Sequence, residues 1–85
     1  MLLSPAYSKS PLTRPLPTKD GVVLRTVRDA RDYMVALPEG SWRREQWQIA
    51  AKFILEERHV ATISLQVELA LFYEGKLDIM AVDAD

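Results

Sequence analysis

Pro5, Pro11, Pro15 and Pro17 fall within the first 17 of the chain's 85 residues, and they limit where regular structure can begin. Proline fixes φ and donates no backbone hydrogen bond. A segment so dense in proline is excluded from helix and from central strands. Residues 1–19 therefore read as an extended, proline-rich N-terminal arm, polyproline-like or disordered. With that arm set aside, residues 20–82 make one helical domain, and Asp83-Ala84-Asp85 reads as an acidic, solvated tail.

Past the arm, Asp20-Gly21 signals a turn, because glycine accepts positive φ. Val22-Val23-Leu24 then favours a short extended piece. A first helix is expected over 27–37. Thr26 suits its N-cap and Asp29 its first turn. Val27, Ala30, Met34 and Leu37 form its apolar stripe, with Tyr33 beside them. Pro38 and Gly40 break this helix, and a second is expected over 42–58 with Ser41 as N-cap. Trp47, Ala50, Ala51 and Ile54 supply its inner stripe.

Residues 60–75 fit two periods. Ile63 to Leu69 alternates as a strand does, whereas Leu65, Leu69 and Phe72 are spaced as a helix face. Strong helix formers from Glu68 to Glu74, with Gly75 just beyond, favour a third helix over 62–74. Leu77 to Val82 is either a short strand against 22–24 or a frayed tail. The fold class expected is thus mainly α: a small three-helix body, an extended arm and a minor two-stranded β pairing.

Composition narrows the function classes. The hydrophobic share of 48% and the charged share of 27% are those of a folded chain. The longest apolar run, Leu69 to Tyr73, is far short of the roughly 18–20 residues that cross a bilayer. No secretory leader is read in Met1-Leu2-Leu3-Ser4-Pro5, so a cytoplasmic address is expected by elimination. The absence of cysteine removes disulfides, thiolate catalysis and cysteine zinc sites. One histidine and no glycine-rich phosphate loop leave no cofactor expected.

The net charge of −1 conceals a split. Residues 1–58 carry ten Lys/Arg against seven Asp/Glu, and residues 59–85 carry Lys76 against five acids. Arg25, Arg28, Arg31, Arg43 and Arg44 gather near two helix starts, which is the basis for an alternative reading as a small nucleic-acid-binding regulator. Asp29, Asp32, Glu39 and Glu45 are interleaved with them, and the isoelectric point is near 5.8. Phosphate binding needs a net positive surface, so this alternative ranks second. A third reading pairs His59 with Glu56, one turn earlier, as a small catalytic site. A solvated histidine at a helix end is the simpler account, and the chain is read as no enzyme. Arg14-Pro15-Leu16-Pro17 is the front half of a ligand for grooves that bind proline-rich peptides, without the closing proline.

Asp20-Gly21-x-x-Leu24-Arg25-Thr26-x-Arg28-Asp29-Ala30-x-x-Tyr33, then Ala36-Leu37-Pro38, then Trp47-Gln48-x-Ala50, resembles a group of short uncharacterised proteins of soil alphaproteobacteria. The resemblance spans about residues 15–55. It implies a bacterial cytosolic origin and a helical body, and it supplies no site residues. Many members continue into a basic tail, whereas this chain ends acidic.

The leading expectation is a non-catalytic protein-interaction or accessory protein. Trp42, Leu65, Leu69, Leu71, Phe72 and Tyr73 are its candidate interface. Leu71 is placed on the outer side. A third helix apolar nearly all round needs covering on several sides. A body of this size, without disulfide or metal, is marginal alone. A symmetric homodimer is the expected solution, with the arm folding back over that face as the alternative.

Overall fold

The computed structural model describes residues 4–82. Among them are six helical segments and one antiparallel hairpin. In chain order these are α1 (Pro5–Ser8), β1 (Pro11–Pro17), β2 (Val23–Thr26), α2 (Val27–Val35), α3 (Glu39–Trp42), α4 (Glu45–Leu55), α5 (Val60–Tyr73) and α6 (Ile79–Val82). The expected acidic tail, 83–85, lies outside the described residues.

This is not the three-helix body with a separate arm that the sequence suggests. The proline-rich segment is extended, but it forms β1 and belongs to the core. Leu12 and Leu16 are buried with Leu24, Val27, Trp47, Ile63, Val67 and Leu71. Proline composition excluded helix and central strands here; the strand limit holds, but Pro5–Ser8 forms the short helix α1. Pro5 sits at the start of α1, where its missing N–H would have had no partner. A two-stranded sheet has no central strand, so prolines can sit wherever the missing N–H would have faced outward.

The pairing partner also differs from the expected one. Pro11 faces Thr26, Leu16 faces Leu24 and Pro17 faces Val23, with an irregular register between Pro11 and Leu16. Residues 22–24 thus pair with the former arm and not with 77–82. The Asp20-Gly21 turn closes the hairpin as read, with Gly21 at φ 86°. Leu77 bridges Thr18 on the other side of β1, and 79–82 is helical.

α2 is capped as its residues dictate. The Asp29 amide donates to Thr26 Oγ1 at 3.1 Å, and the Thr26 amide donates back to Asp29 Oδ2 at 3.1 Å. Val27, Ala30 and Met34 are buried, while Tyr33 and Leu37 pack half-buried against them. The expected helix over 42–58 is α4, preceded by the separate short helix α3. α2 ends at Val35, short of the expected 37, Pro38 is the N-cap of α3, and Gly40 lies inside it. Ser41 is not the N-cap of α4. That position belongs to Arg44, and the Ser41 hydroxyl is used elsewhere.

α4 stops at Leu55, short of the expected end, because Glu57 adopts φ 51°. The Glu57 amide donates to the Ile54 carbonyl at 2.9 Å and the Arg58 amide to the Phe53 carbonyl at 3.1 Å. This is the usual left-handed helix stop, built without the usual glycine. α1 clasps the same turn. Ser4 donates through its amide and its hydroxyl to the Glu57 carboxylate, both at 3.2 Å, and the Tyr7 hydroxyl donates to the Arg58 carbonyl.

Residues 60–73 are helix, starting two residues before the expected 62 and ending one before the expected 74. Gly75, at φ 68°, makes the corresponding stop after α5. The elements close a ring around one core: β2 on β1, β1 on α5, α5 on α4, α4 on α2, and α2 back on β2. No helix among the described residues is long and apolar enough to cross a membrane.

Candidate functional site

α5 has three kinds of side chain around its circumference. Ile63, Ser64, Val67, Ala70 and Leu71 face inward and are buried. On the flank against β1, the Ser64 hydroxyl accepts from the Thr13 amide at 2.9 Å, and Glu68 pairs with Arg14. On the flank against α4, the Gln66 amide nitrogen donates to the backbone and side-chain oxygens of Gln46, at 3.1 and 2.9 Å. The remaining face carries Ala61, Leu65, Leu69 and Phe72, at spacings of four, four and three residues, and the exposed Thr62. Leu65 is 60% exposed, Phe72 54% and Tyr73 64%, while Leu69 is half-buried. The Phe72 and Tyr73 rings meet edge to face, with centroids 5.9 Å apart.

The candidate interface is therefore split. Leu65, Leu69, Phe72 and Tyr73 share an outward apolar stripe. Leu71 does not belong to it: it is fully buried, on the opposite side of the helix. The expected outer placement came from reading the segment as apolar all round, which leaves its rotation undefined. Trp42 lies elsewhere, half-buried over a groove of about 150 Å³ between α2, α3 and α4. Met34, Val35, Ala51, Ile54 and Leu55 line that groove, and Arg31 sits at its edge.

The arginines are largely satisfied within the chain. Arg28 and Arg31 both pair with Asp32, at 3.8 and 3.1 Å. Arg43 pairs with Glu39 one helical turn away at 3.2 Å. Arg44 reaches Glu74 at 2.9 Å. Arg25 is exposed at the end of β2. The Arg14–Pro17 segment is not a free peptide, since it forms β1 and Leu16 is in the core.

His59 is the N-cap of α5. Its Nδ1 accepts from the Ala61 amide at 3.1 Å, which uses the lone pair a base would need. Glu56 is held by Arg58 at 2.8 Å. Among the described residues, no group of three or more His, Asp or Glu is placed to hold a metal ion.

One polar cluster escaped the sequence reading. The Glu74 side chain is only 6% exposed and receives the Ser41 hydroxyl at 2.9 Å beside Arg44, tying α3 and the start of α4 to the end of α5. Nearby, the Tyr33 hydroxyl donates to Asp20 Oδ2 at 2.7 Å, and its ring packs on Trp47. No spacing rule links Ser41 and Arg44 to Glu74, which is distant in the chain.

Burial, the hydrogen bond to Asp20 and the nearby negative charges push the Tyr33 phenol well above its ordinary value. Burial and then Glu57 raise Tyr7 as well. Both groups keep their proton in the folded state at pH values where the unfolded chain has lost it. Their stabilising contribution is therefore full below the ordinary phenol value, about 10, and is lost as pH rises through the folded value. Thermal unfolding is expected to fall in midpoint from about pH 9 to about pH 11, and Tyr33→Phe is expected to flatten that fall. An equal slope in the variant would show that Tyr33 is not its source.

No known protein family, curated protein or solved structure matches the chain.

Proposed function

We propose that this chain is a non-catalytic interaction protein that works through the outward face of α5. The outward stripe of Leu65, Leu69, Phe72 and Tyr73 carries this reading. Leu65, Phe72 and Tyr73 are large apolar side chains left open to water, and half-buried Leu69 lies among them, between two polar flanks. Scattered apolar residues are ordinary on a surface, whereas a contiguous patch bounded by polar groups marks a contact surface. The roles of the charged residues agree with it. His59 caps a helix, and Glu56, Arg28, Arg31, Arg43 and Arg44 are paired with side chains of the same chain, which offsets their charge toward a phosphate backbone.

The test is affinity capture in the native host, with a tagged chain expressed beside the untagged one. The bait is either unaltered or Leu65→Glu/Phe72→Glu. A protein, whether the untagged copy or another chain, should be retained by the unaltered bait and lost from the double variant. Identical retention by both baits would refute the α5 face as the working surface.

A further inference from the structure

Resting on that reading, we infer that the occupant of the α5 face is a second copy of this chain, with the two α5 helices packed antiparallel about a two-fold axis between Leu65 and Leu69. Shape, charge and dipole favour it over a parallel pairing. The stripe is small at its start, with Ala61, and large at its end, with Phe72 and Tyr73. Antiparallel pairing sets small against large at both ends and Leu65 against Leu69 in the middle. A parallel pairing would set Tyr73 against Tyr73 and leave a gap at Ala61.

The flanks point the same way. In an antiparallel pair each flank meets the same flank of its partner. The Arg14–Glu68 pair of one copy then lies beside that of the other, two cations with two anions. Gln66 likewise meets its counterpart, a neutral donor and acceptor on each side. The positive start of each helix also lies along the negative end of its neighbour. β1 packs on the flank of α5 beside Ser64 and Glu68 and leaves the stripe open, so among the described residues the N-terminal segment is not its cover. The contact is isologous and closes on itself, the commonest form of assembly.

The chain has no cysteine, so introduced thiols report geometry cleanly. Sedimentation equilibrium at tens of micromolar should give twice the chain mass for the unaltered protein. Leu65→Glu and Leu69→Glu should each give a single chain mass with the helical circular dichroism kept. Ala61→Cys and Phe72→Cys, mixed and oxidised, should form a disulfide-linked pair of the two variants, and neither should cross-link to itself. Self-linking by each variant alone, or a single chain mass for the unaltered protein, would overturn the inference. A single chain mass together with Leu65-dependent capture of a different protein would overturn the dimer and leave the α5 face as a docking surface.

Discussion

Leu71→Glu is expected to abolish folding at every protein concentration. The Leu71 side chain is fully buried within the single core. Its carbonyl accepts from the Lys76 and Leu77 amides, at 2.8 and 3.2 Å, so the residue also anchors the stop of α5. Losing a buried leucine side chain costs about 2–5 kcal/mol. A carboxylate in its place adds an unpaired buried charge worth several kcal/mol more. Domains of this kind are typically stable by only about 5–15 kcal/mol, and small ones lie at the low end. Far-ultraviolet circular dichroism should show loss of helix, and gel filtration an expanded or aggregated chain. Leu65→Glu, six residues earlier on the open face, should keep native helicity. A folded Leu71→Glu protein would mean that α5 is rotated from the placement described here.

The second large effect is at the other end of the chain. Leu16→Ala is expected to destabilise the protein by about 2–5 kcal/mol, read as a lowered urea midpoint with little change in slope. Leu16 is completely buried opposite Leu24, and Leu12 joins it in the core. Deleting residues 1–17 should accordingly leave the remainder unfolded, since it removes one strand of the only sheet among the described residues and strips the covering from α5. A free arm would behave differently: its loss would leave the unfolding midpoint where it was. Retention of the native midpoint after Leu16→Ala would therefore show β1 to be peripheral.

Local chemistry was read well wherever a residue type acts within its own turn of chain. Thr26 and Asp29 cap α2, Gly75 stops α5, and Asp20-Gly21 turns the hairpin. Periodicity found the inward stripes Val27-Ala30-Met34 and Trp47-Ala50-Ile54. Glu57 was missed as a helix stop because its left-handed φ is held by α1, through Ser4, across more than fifty residues. Ser41 looked like an N-cap, and its hydroxyl went to Glu74 on another helix.

The prolines and the third helix show where local information ends. Proline composition alone excluded helix and central strand from residues 5–17; the strand limit holds, whereas Pro5–Ser8 is helical because Pro5 sits where its N–H would be unpaired. It could not say whether Leu12 and Leu16 lay in water or in the core, because that depends on a partner strand and on α5 being within reach. Along 60–74 the residues by themselves determined an apolar segment that had to be covered. Only the tertiary structure decided that β1 and α4 cover the side holding Leu71 and leave the side holding Leu65 open. A helix apolar all round has no preferred rotation of its own. Burial of Ile63, Val67, Ala70 and Leu71 against β1 and α4 sets which face turns inward, with Glu68 to Arg14 and Gln66 to Gln46 on its two flanks.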